Sequence, residues 1–458
     1  MRSSNLRLKL KIILPLYLPW VLSTLVQYYA SLSYLIAWLG SFYIFYLTIL
    51  SPLRFFSTDL PIAQQLMRPA VLIQLLFAGF MCCTSIFYFL DQIHQDPFNT
   101  DGQISTTAEC QRLLVLGHAA MLTGIKLMIK RDILQHPLVS HNDTLLFKLA
   151  IISYAAGLST NLEPMFAQLK QPLINIAISC SAYLLVQGLR HWRLLHLLFG
   201  GLIFGLQLFN ATLTGYKESI IVNVVLIFFF AFPFFKKTVI LLLIPTFYLL
   251  FHILPTFTTV IRTQSWLAGK SIETARENAY QTFFDDTKDT QISKNNHEFL
   301  TYRLSEIGMF RQYINKVPEQ RHYYGLQIFR NAFYSLIPRG LWPDKPSTEV
   351  IAMERVYDCG VVSRSSSVSA KTRPVVDGYL SAGTLGVFLY LLSYGLTTQH
   401  ICNKAEQLFG GYKMGCMIMF NSIFQPLWRG NTLEFLLNNV LYGYLLLYVI
   451  YLILRKAI

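Results

Sequence analysis

Apolar residues run along this chain in long blocks rather than in alternation. Blocks of about 20 residues, the length a helix needs to cross a hydrocarbon core, recur at 12–30, 33–50, 70–90, 112–129, 146–162, 173–190, 194–213, 218–235, 238–255, 377–398, 412–428 and 434–454. The pattern predicts an all-α, polytopic membrane protein with about twelve transmembrane helices. One interval interrupts the series. Residues 256–376, about 120 positions, are polar enough to stand outside a membrane. The expected organisation is nine helices in 1–255, a large loop at 256–376, and three helices in 377–458.

Inside that loop the hydrophobic period changes. "NHEFLTYRLSEIGMFRQYINKV", 296–317, spaces Phe299, Leu300, Leu304, Ile307, Phe310 and Ile314 as one helical stripe. Arg303 and Arg311, eight residues apart, nearly share a face. A second short helix is expected over 324–336, carrying Arg330. It should stop at or before Ile337, because a residue preceding proline resists the helical region. Amphipathic helices outside a membrane lie on its interface or cap a cavity. "SLIPRGLWPDKPS" follows, and Pro338, Pro343 and Pro346 fix three φ angles. Arg339 and Lys345 then project from a stiff turn, and an arginine fork matches phosphate oxygens. The plainer reading is an anchor, since tryptophan beside cations is ordinary at a headgroup boundary; Trp342 fits that too.

Composition agrees with the block pattern. Residues are 53% hydrophobic and 14% charged, against roughly 25% charged in soluble domains. The net charge of +14 does not call for a nucleic acid, because the cations sort by topology. With the basic N-terminus in the cytoplasm, the same side receives Arg54, Arg68, Lys130, Arg131, Lys148, Arg190, Arg193, Lys236, Lys237, Lys404, Lys413, Arg455 and Lys456. The connection at 91–111 holds Asp91, Asp96, Asp101 and Glu109 and no lysine or arginine. That is the positive-inside pattern, with both termini cytoplasmic and the large loop outside. The basic, then apolar start is read as a retained first helix rather than a cleaved signal. The seven cysteines form no CxxC or Cys/His spacing, so no metal site is expected. Cys110 and Cys359 both fall outside, where a disulfide is permitted; two free thiols are the alternative.

Further cations cluster at the outer ends of the predicted helices. "NATLTGYKESI" places Lys217 near a helix N-terminus, a natural anion site, or else a hairpin with a snorkelling lysine. Arg262 follows the ninth helix, Arg373 with Asp377 and Tyr379 opens the tenth, and Arg429 with Glu434 lies between the eleventh and twelfth. Each alone is an ordinary solvated end. Together they form a ring of cations with carboxylates among them.

Three runs, "YRLSEIGMFRQYI", "YYGLQIFRNAFYSLIPRGLWPDKP" and "DGYLSAGTLGVFL", with "TGYKES" before and "RGNTLEFLLNNVLYG" after, carry a resemblance. Over roughly 210–445 the chain resembles the Wzy-type O-antigen and exopolysaccharide repeat-unit polymerases; the first 200 residues match in hydropathy only. Asp377 stands where that family more typically has glutamate. The resemblance implies a glycosyltransferase of the bacterial inner membrane. It would join oligosaccharide units carried on undecaprenyl diphosphate, on the outer face of the bilayer, without cofactor, metal or nucleotide sugar. Implied partners are the lipid-linked oligosaccharide, the bilayer, and a chain-length regulator with other polysaccharide assembly proteins; nucleic acid is not among them.

That chemistry assigns expectations to residues. Fixed cations stabilise a departing diphosphate, a role expected of Arg339, Lys345, Arg330, Arg303, Arg262 and Lys217, with Arg373 and Arg429 on the ring. A carboxylate must accept or orient the attacking hydroxyl; Asp377 ranks first, then Glu306, then Asp344. Tyr324, Trp342 and Tyr379 offer rings on which sugars stack. Arg339, Asp377 and Glu306 are the expected catalytic set. An O-antigen-type ligase using the same donor is an alternative, since His297 and His322 could serve as its base. A flippase or other transporter is another, although no internal repeat is evident. A Cys-Arg-His membrane protease would have only Cys110 to use.

Overall fold

The computed structural model describes residues 11–51, 55–56, 59–95, 101–129, 143–160, 167–213, 217–261, 263–264, 271–284, 289–337, 341–342, 344–365 and 370–457. Among the described residues every regular element is helical and none is a strand. Among these residues seven helices are long and apolar enough to cross a membrane: Ala30–Leu50, Pro69–His94, Gln168–His191, Leu194–Ala211, Lys236–Ile261, Pro374–Leu408 and Leu433–Arg455. Apolar helices also form over Lys11–Leu25 and Ile220–Ala231, but these are shorter. In hydrocarbon a helix satisfies all its own backbone groups, which is why apolar blocks of this length take no other form.

Three expected spans look different. The block at 146–162 forms a helix of 17 residues, Asp143–Ser159, which is not among the seven. The block at 112–129 is the second half of a longer helix, Asp101–Met128, whose Arg112, His118 and Lys126 dilute its hydropathy. Most of its side chains are buried against protein, so it has little need of an apolar surface. The block at 412–428 is not one helix but a π-helical stretch, Tyr412–Phe420, then the short turns Asn421–Ile423 and Gln425–Leu427. Gly410 and Gly411, both at positive φ, open it, and Pro426 removes a backbone donor near its end.

The chain forms two compact units. One comprises 1–140, 159–172 and 304–458; the other comprises 141–158 and 173–303. The segment 256–376 is thus shared, its residues through Arg303 belonging to the second unit and the rest to the first. In the second unit, helix Leu194–Leu213 packs closely on Ala167–His191. A Cβ on Gly200 would meet the Ser181 carbonyl and the Leu185 nitrogen at 2.7 Å. Phe257, Ile261 and Ala279 form a small core there.

The first unit is built on α1 (Asp101–Met128), α2 (Ile307–Lys316), α3 (Gln327–Leu336), α4 (Thr348–Asp358), α5 (Pro374–Leu408) and α6 (Leu433–Ala457). Helices α1 and α5 touch backbone to backbone. A Cβ on Gly395 would stand 2.0 Å from the Met121 carbonyl, and one on Gly124 2.3 Å from that of Leu392. Small residues allow this approach inside a membrane, where packing replaces the hydrophobic effect as the force between helices.

The loop helices depart from expectation at one point and agree at another. The stripe over 296–317 is not one helix. It breaks at Glu306, which adopts left-handed backbone (φ 58°) and starts α2. Left-handed backbone is uncommon for a residue with a Cβ, and here it swings the Glu306 carboxylate into an ion pair described below. Helix α3 ends at Leu336, and Ile337 before Pro338 is extended (ψ 124°), as the proline rule requires. Its start is later than expected, because Tyr324 and Gly325 serve another helix. Helix α5 is broken at Ala382 (φ −159°, ψ 36°) and Gly383 (φ 59°, ψ −140°). Tyr324 and Gly325 donate their backbone N–H groups to the Leu380 and Ser381 carbonyls at 2.8 and 3.1 Å. A kinked membrane helix survives where a neighbour takes up its freed polar groups.

Candidate functional site

The densest chemistry of the first unit lies where the N-termini of α5 and α6 meet α4. Arg355, on α4, is 3% exposed and reaches two carboxylates. Its Nε and Nη2 donate to Asp377 at 3.0 and 3.2 Å, and its Nη1 and Nη2 donate to Glu434 at 2.7 and 2.8 Å. Asp377 lies in the first turn of α5 and Glu434 in the first turn of α6, and both are fully buried. Each carboxylate therefore faces the positive end of its own helix, which favours its charge. Asp377 also accepts the Thr372 hydroxyl at 2.6 Å and the Leu433 backbone N–H at 2.9 Å. It thereby caps one of the orphan donors that open α6. Burial works against the Arg355 charge, but the two carboxylates outweigh it and hold its pKa above the ordinary value. A buried pair of this kind repays its desolvation only with near-complete hydrogen bonding, and here every guanidinium nitrogen has a carboxylate partner.

A second ion pair stands beside the first. Arg373 donates from Nε and Nη2 to Glu306 at 2.7 and 2.6 Å, and from Nη1 to the Gly430 carbonyl at 3.2 Å. The Glu306 side chain is 16% exposed. Phe80 lies under both Arg373 and Arg429, with guanidinium carbons 5.9 and 5.8 Å from its ring centre. Lys345, though cationic, is 7% exposed and already engaged. Its Nζ donates to the Ser335 and Ile337 carbonyls at 2.8 and 2.6 Å, capping the C-terminal end of α3. The Ser335 hydroxyl donates to the Ala332 carbonyl at 2.6 Å and lies 3.0 Å from the Glu434 carbonyl, where α3 packs on α6.

The expected site residues thus divide by environment. Asp377, Arg373, Glu306 and Lys345 come together at this end of the unit, with Arg429 close by on Phe80. Tyr379 is buried, its hydroxyl donating to the Val317 carbonyl at 2.8 Å and its ring edge-on to Phe310 and Tyr323. Its ring faces protein rather than an open sugar site. Tyr324 is half-buried, with its hydroxyl on Asp358 and the Arg321 guanidinium over its ring. Trp342, Arg330 and Asp344 are exposed, and Trp342 stands edge-on to Tyr334. Arg303 is exposed and belongs to the second unit, as does Lys217. Arg262, Arg339 and the side chain of Lys217 lie outside the described residues. Cys110 and Cys359 are both buried free thiols, so the disulfide the topology permits is not formed.

Arg355 is absent from the sequence-derived set, although it organises the cluster. Its signal is an arginine on the apolar face of a short helix, beside the buried Ala352, Met353 and Val356. An unpaired charge cannot stay on such a face.

At the other end of α5 a related network forms. Arg68 donates to Glu406 at 2.9 and 3.0 Å and to Asp59 at 2.8 and 2.7 Å. Glu406 sits in the last turn of α5, where the helix dipole opposes it. Cys402 and Cys416 adjoin it, the three groups presenting ligating atoms within 4.8 Å of one another. Sequence spacing does not announce that cluster, because the kinked 409–411 connection creates it. Both Glu406 oxygens are taken by Arg68, and a guanidinium at that distance disfavours a cation.

Comparison with known families gives one match. A family described as a domain of unknown function (DUF8712) matches residues 18–458. The chain belongs to that family. No curated protein matches it, and no solved structure does.

Within this family member the cluster around Arg355 offers two kinds of group. The Arg355–Asp377–Glu434 triad has its hydrogen bonds filled and fixes three helix ends. In the Arg373–Glu306 pair the guanidinium is buried and the carboxylate half-buried, so Glu306 is the member nearer to the reach of a bound molecule.

Proposed function

We propose that the chain is a polysaccharide polymerase that joins oligosaccharide units carried on undecaprenyl diphosphate, at the outer face of the inner membrane. The observation that carries this reading is the paired charge at the mouth of α5: Arg373 and Glu306 held side by side above a buried, fully bonded triad. The seven apolar helices and the resemblance of residues 210–445 to repeat-unit polymerases support it. The twelve-span topology, with both termini cytoplasmic and 256–376 outside, is part of the same proposal.

In this reading an acceptor hydroxyl attacks the anomeric carbon of the donor unit. The new glycosidic bond forms as the sugar–diphosphate bond breaks, and the electron pair leaves on undecaprenyl diphosphate. Glu306, the more exposed partner of its pair, takes the hydroxyl proton once the donor diphosphate draws Arg373 off its two oxygens. Arg373, with Arg429, Arg330 and Arg339, stabilises the departing diphosphate. Asp377, first in the expectation from sequence, is a positioning residue instead: all its strong acceptor directions are filled. Arg373 and Arg429 are already held over the Phe80 ring before a substrate arrives.

The test is the glycan that accumulates on lipid diphosphate in a strain lacking the chain. The proposal predicts single repeat units. Full-length polymer on lipid would instead assign a ligase, and units stranded on the cytoplasmic side would assign a transporter.

A further inference from the structure

Helix α3 has two faces. Ile328, Ala332 and Ser335 are buried against α6 and follow i, i+4, i+7 spacing. The opposite stripe is open and apolar. Leu326 is 80% exposed, Phe333 62% and Leu341 81%, with Tyr334, Trp342 and Arg330 beside them. A water-facing helix does not collect such side chains, and large apolar patches on a protein mark something that covers them.

Three observations identify the cover. First, α3 packs with its Ser335 hydroxyl 3.0 Å from the Glu434 carbonyl, in the first turn of a helix long and apolar enough to cross a membrane, so it lies at the end of that span. The helix it packs on itself exposes Leu441, Leu445, Val449 and Leu452. Second, the stripe combines aliphatic residues with a Trp–Tyr pair and an arginine, the mixture that suits the boundary between headgroups and acyl chains. Third, the C-terminal carbonyls of α3 are capped by Lys345 rather than left for water. That capping lets a helix end sit where water is scarce.

We propose that α3 and the 341–342 ledge form a monolayer-inserted helix, lying in the membrane plane with Leu326, Phe333 and Leu341 among the acyl chains and Arg330 at the phosphates. The occupant of this face is the phospholipid bilayer. The proposal needs only that α6 crosses a membrane and does not depend on the reaction assigned above. If that reaction is correct, the ledge lies level with the lipid diphosphate and gives Arg330 and Trp342 their access to it.

The experiment uses the full-length chain in nanodiscs of phosphatidylethanolamine and phosphatidylglycerol. Nitroxide labels are placed by Phe333→Cys and, separately, Leu341→Cys, with Cys83→Ala removing the one half-buried native thiol. Ser363→Cys, at an exposed position, is the aqueous reference. The expected result is high collision accessibility to oxygen and low accessibility to a water-soluble nickel chelate at 333 and 341, with the reverse at 363. Equal chelate accessibility at all three sites would overturn the proposal. So would labels at 333 and 341 shielded from both reagents, the mark of a second copy or a protein partner on this face. A label-free measurement guards against disturbed folding. Brominated phospholipids should quench the fluorescence that wild type has in excess of Trp342→Phe, and no loss of that excess would count equally against the inserted helix.

Discussion

The two ends of α5 solve the same problem differently. At each end a buried arginine holds two carboxylates. At the Arg355 end both acids occupy helix N-termini, both are fully buried, and one of them caps the neighbouring helix. At the Arg68 end Glu406 occupies a helix C-terminus and Asp59 is 28% exposed. The Arg68 network compensates an unfavourable position; the Arg355 network joins three favourable ones. A break in α5 and an open aromatic ledge lie beside the Arg355 network. The difference separates an anchor from a platform on which exchangeable charge is held.

The largest effect should come from the arginines themselves. Arg355→Ala leaves two buried carboxylates unpaired and should cost about 3–5 kcal/mol. Arg68→Ala leaves one buried carboxylate, since water reaches Asp59, and should cost about 3 kcal/mol. Thermal unfolding of the solubilised protein measures both, and equal losses would erase the distinction between the ends. Gly383→Ala comes next. Its backbone is one that only glycine adopts readily, and a Cβ would stand 2.8 Å from the Tyr323 hydroxyl. The expected cost is about 1–3 kcal/mol, and Tyr323→Ala should return the steric part of it. Lys345→Met uncaps α3 and should cost about 1–3 kcal/mol, lowering the unfolding temperature. The smallest structural effect belongs to Arg330→Ala, within about 0.5 kcal/mol as for other open surface positions. Surface polymer should nonetheless shorten in that variant, read as a truncated ladder on a gel.

Much of this was legible in the residues, for physical reasons. Long apolar blocks specify helices because hydrocarbon permits no other open-ended form. Pro338 set the end of α3, and the charged turns around 373–377 and 429–434 do come together. What escaped is tertiary in origin. The break at Glu306 lies inside an unbroken helical stripe, and nothing local predicts left-handed backbone there; the Arg373 pairing favours it. Lys345 looks like a free cation in sequence, because the α3 carbonyls that capture it are set only by the chain's return. Tyr379 looks like a sugar platform in sequence, but its ring packs against Phe310 and Tyr323, residues that come from a distant part of the chain. Arg355 was hidden by its ordinary helix, whose partners are 22 and 79 residues away.

The most direct test of the central claim is a reaction with the purified chain alone. Full-length protein in nanodiscs is supplied with oligosaccharide units on undecaprenyl diphosphate, with no nucleotide sugar, and the lipid-linked products are resolved by mass. The account predicts dimers and longer oligomers on lipid, with one undecaprenyl diphosphate released per joining, and loss of both with Glu306→Gln. Units that remain single in the presence of correctly folded wild-type protein would contradict it.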